Sequence, residues 1–170
     1  MPSAESLLQQ VNGSRHKLVR VLLVEDDPQD VVLTLAAFAE LGLADQVAVV
    51  NNGEQAMDFL YARNAYRGRS PGLPAVVLLD VKLPLLDGFE VLQQIRSAPA
   101  TRWLPVVVLT ASNQDRDLQR AYELGANGYV VKTIDFEADT ATLHAIAQYW
   151  AMSNEPPAGS LPRPKPDLAE

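Results

Sequence analysis

The sequence of 170 residues contains no cysteine. Its absence excludes disulfide bonds, thiolate nucleophiles and cysteine-ligated metal sites, and it fits a reducing compartment. The sequence also has no run of eighteen or more apolar residues, and Arg15, Lys17 and Arg20 stand where a signal peptide would need its apolar segment. We therefore expect a soluble, cytoplasmic protein that has no contact with a membrane.

Basic residues and nucleotide-binding glycine loops are also scarce. Lys and Arg number 14 against 21 Asp and Glu, and the net charge of −7 argues against non-specific binding to nucleic acid. No GxGxxG or Walker-type loop is present to cradle a nucleotide. The two histidines, His16 and His144, have no metal-ligating partners in the pattern. We therefore do not expect an enzyme that acts on a diffusible substrate.

Hydrophobic residues make up 48% of the chain, which is enough for one core of ordinary size. We expect a single domain over residues 18–152. Residues 1–17 are predicted to form a flexible N-terminal arm, and residues 153–170, with five prolines, an extended and unpacked tail. The tail is too short and too polar to fold as a DNA-binding domain, so any output is expected to be by protein contact.

Short apolar, β-branched runs alternate along this domain with longer segments of helical periodicity. The alternation predicts an α/β fold, with a parallel sheet covered by helices on both faces. In such a sheet, ligands bind outside the carboxyl ends of the strands. The predicted strands are residues 19–24, 47–50, 75–79, 106–109 and 129–131, and the predicted helices are residues 28–41, 54–61, 88–97, 114–124 and 136–152.

Charged and hydroxyl residues follow four of these strands. Glu25 and Asp26 follow the first, Asp80 the third, Thr110 the fourth and Lys132 the fifth. Carboxylates that converge at one edge repel each other unless a cation neutralises them, and Mg²⁺ prefers such oxygen ligands. A hydroxyl and an ammonium at the same edge are suited to the oxygens of a phosphoryl group.

These residues lie in segments that resemble, as a set and in this order, the hallmark segments of receiver domains of two-component response regulators. The segments are VLLVEDDP, LLDVKLPLLDG, VVVLTAS and GANGYVVK, and the resemblance covers residues 19 to about 150. It implies a flavodoxin-like, doubly wound sheet of five strands in the order 2-1-3-4-5. The segments DFLYARNAY and AYELGANGYVVK, with the long loop between residues 62 and 74, are most similar to single-domain regulators associated with phytochrome-type sensor histidine kinases.

The resemblance implies that Asp80 is the phosphoacceptor, which receives its phosphoryl group from the phosphohistidine of a sensor kinase. Asp26 and Asp80 would bind Mg²⁺ directly, Glu25 would hold it through water, and the backbone carbonyl of Lys82 would supply another ligand. Alternatively, Asp80 is a structural acid at a strand end, or the nucleophile of a haloacid-dehalogenase-type phosphatase. That phosphatase family has a second aspartate where Lys82 stands here.

The same resemblance implies roles for three residues around the phosphoryl group. Thr110 would bond a phosphoryl oxygen, and Lys132 would pair first with Asp80 and then with the phosphate. Tyr129 resembles the aromatic that turns inward when Thr110 engages the phosphate, or it is a strand aromatic with its hydroxyl in water. The protein would be a phosphoacceptor that assists its own phosphorylation and dephosphorylation. A receiver-like scaffold that works without phosphorylation is the competing hypothesis.

Two aspartates near the site have structural interpretations. Asp27 precedes Pro28, which places the acid at a helix N-cap and the proline at the first helical position. Asp87, followed three residues later by Glu90, is typical of a capping box. We therefore assign neither aspartate to the metal.

Two positions depart from, or vary within, the receiver pattern. In most receivers a proline, usually after a cis peptide bond, follows the conserved lysine, but here Thr133 does. A cis bond before a non-proline residue costs about 2.5–4 kcal/mol, so we expect a trans loop or a strained one. Lys82 stands at the position that tunes phosphoryl lifetime in the family, and we expect its replacement to change that lifetime.

The last predicted helix has two unlike faces. At helical spacing Phe136, Leu143, Ile146, Ala147 and Trp150 form one apolar stripe, which is expected to be core. The opposite face lacks charge, and we expect it to contribute to a homodimer interface. Its residues are Ala138, Ala141, Ala145 and Met152.

Two basic segments stand outside this pattern. In the long loop, Arg63, Arg67 and Arg69 surround Tyr66 and are expected to be solvated, with docking to an acidic partner as the alternative. The tail segment PRPKP resembles polyproline recognition motifs and is expected to be a solvated spacer.

Overall fold

The computed structural model describes residue 6 and residues 18–161. The predicted N-terminal arm, apart from Ser6, therefore lies outside the described residues, as do His16 and the PRPKP segment. Strands and helices alternate through the described part. They are β1 (Val21–Val24), α1 (Pro28–Glu40), β2 (Val47–Val50), α2 (Gly53–Leu60), β3 (Val76–Leu79), α3 (Gly88–Ser97), β4 (Val106–Thr110), α4 (Asp115–Glu123), β5 (Gly128–Val131) and α5 (Phe136–Ile146).

The strands form one parallel sheet in the order β2-β1-β3-β4-β5. This confirms the predicted fold class and strand order. Val24 pairs with both Val50 and Leu79, so the carboxyl ends of the three neighbouring strands are level. Thr110 pairs with Val131 in the same way at the other side of the sheet. Residues that follow these strands are therefore brought to one edge.

Apolar side chains of β1 alternate between the two faces of the sheet, as the period of two in a strand requires. Leu23 packs in the cluster that includes Leu35 and Phe38 of α1, and α5 covers the same face. Leu22 and Val24 pack in the second cluster, which includes buried residues of α2 and α3. The helices therefore bury both faces of the sheet, and none of the helices in residues 18–161 is long and apolar enough to cross a membrane.

The final helix differs from its prediction. α5 ends at Ile146 and continues as a π-helical segment, Ala147–Ser153. Leu143, Ile146 and Ala147 are buried as expected, and Trp150 packs against the core. The core assignment of Phe136 is wrong, because its side chain is 65% exposed and burial within α5 begins only at Leu143.

Arg69 is not a solvated residue of the long loop, as the sequence suggested. Its guanidinium donates to the carbonyls of Phe59 and Leu60 at the end of α2 and to that of Gly72, and it stacks 4.8 Å from the centroid of the Phe59 ring. Carbonyls at a helix C-terminus have no partner within the helix, which explains why a cation is held there. Arg63 and Arg67 are exposed, as predicted.

The predicted tail is also not unpacked throughout. Leu73 in the long loop donates its N–H to the carbonyl of Gly159 and accepts from the N–H of Leu161, both at 2.9 Å. The two segments form a parallel bridge between Leu73 and Ser160. The reason is that the loop exposes backbone groups that need partners, which sequence composition does not reveal. Residues 162–170 lie outside the described part of the chain.

Candidate functional site

Three carboxylates meet at the carboxyl edge of the sheet. Glu25 and Asp80 come directly after the paired residues Val24 and Leu79, and the N–H of Asp80 donates to the carbonyl of Val24 at 3.1 Å. One ligand oxygen from each of Glu25, Asp26 and Asp80 lies within 4.8 Å of the others. Glu25 and Asp80 are buried and Asp26 is exposed, so the group opens to solvent on the Asp26 side.

The loop after β3 is folded tightly against Asp80. A Cβ atom on Gly88 would lie 2.1 Å from the backbone oxygen of Asp80, so only glycine allows this approach. The side chain of Asp80 accepts the N–H of Lys82 at 3.3 Å, and the Lys82 side chain is exposed. Asp87 forms the predicted capping box with Glu90 at the start of α3. α3 thereby holds the loop that carries Asp80 and Lys82.

The predicted N-cap role of Asp27 is confirmed. Its side chain accepts the N–H groups of Gln29 and Asp30 in the first turn of α1. Its own N–H donates to Glu25 at 2.9 Å. α1 therefore begins at the edge where the carboxylates meet.

Lys132 joins β5 to the carboxylates. Its Nζ lies 2.5 Å from Glu25, 2.7 Å from Asp30 and 3.4 Å from Asp80. The ammonium is thus nearer to Glu25 and Asp30 than to Asp80, although the resemblance implies that Asp80 is its first partner. Asp30 was missed by the sequence reasoning. Its position three residues after the N-cap Asp27 was the available signal, but an acid in the first turn of a helix is common for electrostatic reasons alone.

For both Glu25 and Lys132, burial shifts the side-chain pKa in one direction and the ion pairs shift it in the other. Desolvation raises the pKa of Glu25 to about 7, although the hydrogen bond from Lys132 opposes this. Burial alone would lower the pKa of Lys132, but its hydrogen bonds with Asp30 and Glu25 raise the pKa above its ordinary value. The Lys132 ammonium therefore does not fully offset the cost of burying the ionised Glu25 carboxylate. The all-oxygen donor set fits a hard divalent cation.

Thr110 and Tyr129 are linked through the loop after β4. Thr110 is buried, and its Oγ1 accepts the N–H of Ser112 at 3.3 Å. The Tyr129 hydroxyl donates to the carbonyl of Ser112 at 2.9 Å, and the side chain is half-buried. Ser112 in turn donates its hydroxyl to Asp117 at 2.6 Å. The residues that line one open concavity include Glu25, Asp26, Asp30, Asp80, Lys82, Thr110 and Lys132.

The peptide between Lys132 and Thr133 is trans, since residues 18–161 contain no cis peptide bond. Thr133 donates its N–H to Asp139 of α5 at 3.0 Å and its hydroxyl to the same carboxylate at 2.8 Å. Of the two expectations for this loop, the trans form is confirmed.

Comparison with known proteins identifies the family. Residues 21–144 match the model of the response regulator receiver domain. The probable methanogenesis regulatory protein FilR2 of Methanothrix harundinacea (strain 6Ac) is 40% identical over 137 residues, which cover 81% of this chain and 86% of FilR2. Response regulator Rcp1 of Synechocystis sp. (strain ATCC 27184 / PCC 6803 / Kazusa) is 34% identical over 130 residues, which cover 76% of this chain and 87% of Rcp1.

Solved structures give the same result. The crystal structure of the Mn(2+)-bound form of Rcp1 has a TM-score of 0.73 at 30% identity and covers 85% of this chain and 100% of that chain. The phosphorylated cyanobacterial phytochrome response regulator RcpA has a TM-score of 0.76 at 32% identity and covers 84% of this chain and 100% of that chain. The matched residues include the strands that end at Thr110 or just before Glu25, Asp80 and Lys132. The chain belongs to the response regulator receiver domain family.

Proposed function

We propose that the chain is a single-domain response regulator that accepts a phosphoryl group on Asp80. The observation that carries this proposal is the convergence of a buried Asp80 with Glu25, Asp26 and Lys132 at one concavity. Phosphoryl transfer depends mainly on positioning and on electrostatic stabilisation of the transferring group. This edge of the sheet provides both, with a nucleophilic carboxylate, a cationic group and oxygen ligands for a metal.

In the proposed reaction, an oxygen of Asp80 forms a bond to the phosphorus atom of a phosphohistidine. The P–N bond breaks, and the imidazole nitrogen keeps the electron pair and takes up a proton. Thr110 donates its hydroxyl, and Lys132 its ammonium, to the phosphoryl oxygens. Later hydrolysis returns Asp80 and phosphate, so the protein assists its own phosphorylation and dephosphorylation without turning over a diffusible substrate.

The metal in this proposal is Mg²⁺. Asp26 and Asp80 would bind it directly, Glu25 would hold it through water, and the backbone carbonyl of Lys82 would add a ligand. The proposal is supported by the oxygen-only donor set and by the Mn(2+)-bound form of the relative Rcp1, since Mg²⁺ and Mn²⁺ both favour oxygen ligands. Calorimetric titration of Mg²⁺ into wild type and Asp26→Asn tests it. Equal Mg²⁺ affinity of the two proteins would show that Asp26 is not a metal ligand.

Thr110 and Tyr129 are proposed to form the switch that reports phosphorylation. For the ring to turn inward, the Tyr129 hydroxyl has to release the Ser112 carbonyl, which lies in the same loop as the N–H bonded to Thr110. A movement of Thr110 toward the phosphate therefore loosens the contact that holds Tyr129. NMR of labelled tyrosine, with and without phosphorylation, tests this by the change at Tyr129.

The direct test is incubation of the full chain with acetyl phosphate and Mg²⁺, followed by intact mass measurement. We expect one phosphoryl adduct on wild type, none on Asp80→Asn, and an adduct on the control Asp87→Asn, whose residue caps α3. A wild type without an adduct, or an adduct that persists in Asp80→Asn, would instead favour a scaffold that works without phosphorylation.

The proposed partners are a sensor histidine kinase and a second copy of this chain. A phytochrome-type kinase is supported by the structural likeness to RcpA, and a phosphotransfer profile across candidate kinases would identify the cognate one. The exposed Ala138, Ala141 and Ala145 of α5 support a homodimer. Light scattering across a concentration series that shows only monomer, before and after phosphorylation, would exclude it. We place the protein in the cytoplasm, where such kinases act.

A further inference from the structure

The ammonium group of Lys132 lies at unequal distances from three carboxylates. Its Nζ is 2.5 Å from Glu25 and 2.7 Å from Asp30, but 3.4 Å from Asp80. An ammonium has three N–H donors, so each carboxylate takes one of them. The ammonium is therefore held closest to the two groups that do not react in the proposed phosphorylation.

The three carboxylates differ in exposure. The side chain of Glu25 is 3% exposed and that of Asp80 is 11% exposed, whereas Asp30, on the first turn of α1, is 38% exposed. A buried carboxylate that loses its cation is left charged without water, which is costly, but an exposed carboxylate is rehydrated. Asp30 is therefore the partner that Lys132 can leave at the lowest cost.

We propose that Asp30 is a positioning residue that competes with Asp80 for Lys132. In the unphosphorylated protein it holds the ammonium away from the nucleophilic oxygens, and it releases the ammonium when a phosphoryl group on Asp80 provides new acceptors. The inference rests on the proposed function of Asp80 as phosphoacceptor. The ion pair with Asp30 has to break before Lys132 can move to the phosphoryl group. Removal of the Asp30 carboxylate therefore favours the arrangement in which Lys132 contacts the phosphoryl group.

Beryllofluoride, a tetrahedral mimic of the phosphoryl group, provides an equilibrium test in the presence of Mg²⁺. Asp30→Asn keeps the size of the side chain and removes its charge. Because the ion pair is partly exposed, we expect the variant to bind beryllofluoride about three- to tenfold more tightly than wild type. Asp30→Glu, which keeps the carboxylate, should restore most of the wild-type affinity.

Asp27→Asn is the matched control for charge. Asp27 lines the same concavity and lies on the same helix end, but Lys132 does not contact it, and asparagine is an equally good N-cap. A general effect of negative charge on anion binding would appear in both variants, whereas competition for Lys132 appears only in Asp30→Asn. Equal affinities of Asp30→Asn and wild type, or an equal gain in Asp27→Asn, would overturn the proposal.

A second measurement separates this inference from the proposed function. In metal-free protein, a double-mutant cycle of Asp30→Asn and Lys132→Met by chemical unfolding is expected to show a favourable coupling between the two residues. Additive effects would refute the ion pair and with it the competition. If the coupling is present but wild type binds no beryllofluoride, the proposed function fails and the inference falls with it. If wild type binds and Asp30→Asn does not differ, only the inference fails.

Discussion

Thr133 donates both its N–H and its hydroxyl to the carboxylate of Asp139, and this clamp fixes the loop that follows Lys132. The receiver pattern that the sequence resembles implies a proline at the position of Thr133. Here a charged acceptor on α5 orders the trans backbone instead, through hydrogen bonds that a proline could not make. The position of Lys132 thereby depends on α5 as well as on β5.

The clamp predicts that Asp139→Ala weakens both stability and phosphorylation. Loss of two hydrogen bonds to a carboxylate should lower the free energy of unfolding by about 1–2 kcal/mol. The freer loop should also slow phosphorylation by acetyl phosphate, because Lys132 is less well placed. The control for charge is Glu137→Ala, because Glu137 is an exposed acid in the same helix whose side chain forms no hydrogen bond or ion pair within residues 18–161. Equal phosphorylation rates of Asp139→Ala and Glu137→Ala would contradict the clamp's role.

In metal-free protein, the raised pKa of Glu25 predicts that stability falls as pH rises. Its pKa is raised from an ordinary 4.5 to about 7, mainly by burial, so between these values the folded chain binds more protons than the unfolded chain. The free energy of unfolding therefore decreases as pH rises from about 4.5 to 7, by about 3 kcal/mol at most. Unfolding curves of wild type and Glu25→Gln over this range check it, since the variant should lack this part of the slope.

Saturating Mg²⁺ should reduce this decrease in the free energy of unfolding with rising pH. A cation near Glu25 stabilises the ionised carboxylate and lowers the proton uptake of the folded state. Curves that are identical with Mg²⁺ and with a chelator would show that Glu25 does not respond to the metal.

Arg69 is predicted to stabilise the fold through backbone carbonyls. Arg69→Ala removes the donors to the end of α2 and to Gly72 and should lower the free energy of unfolding by about 1–3 kcal/mol. Arg67→Ala, at an exposed position of the same loop, should change it by less than about 0.5 kcal/mol. Similar losses in the two variants would mean that the loop gains nothing specific from Arg69.

Lys82 is predicted to prolong the phosphorylated state. Its side chain is exposed beside the concavity that contains Asp80, where an ammonium can pair with a phosphoryl oxygen. Lys82→Asn should shorten the phosphoryl lifetime about twofold or more, because that pairing is lost. The decay of the phosphorylated mass peak measures it, with Arg116→Asn as an exposed control. An unchanged decay rate in Lys82→Asn would show that the Lys82 side chain does not affect the phosphoryl lifetime.

The sequence predicts the order of strands and helices, because this order follows from local patterns. It also predicts that Glu25, Asp26 and Asp80 meet, because the carboxyl ends of parallel strands are level. Asp27 could be predicted as a cap from local patterns as well, since its partners lie two and three residues away. Asp30 could not, because its interaction with Lys132 spans 102 residues and depends on how α1 meets β5.

The two errors have different physical origins. Arg69 was expected in water because its acceptors are backbone carbonyls, which no side-chain pattern reveals. Phe136 was placed in the core because helical periodicity identifies the apolar stripe of α5 but not the point along it at which packing begins.

The bridge between Leu73 and Ser160 has a consequence for how the molecule can be approached. Leu73 lies just before β3, at the amino ends of the strands, whereas Asp80 follows the same strand at its carboxyl end. The bridge therefore lies on the side of the sheet remote from Asp80. Residues 159–161 are thus held at the opposite side of the sheet from the concavity that contains Asp80, and they leave that concavity open.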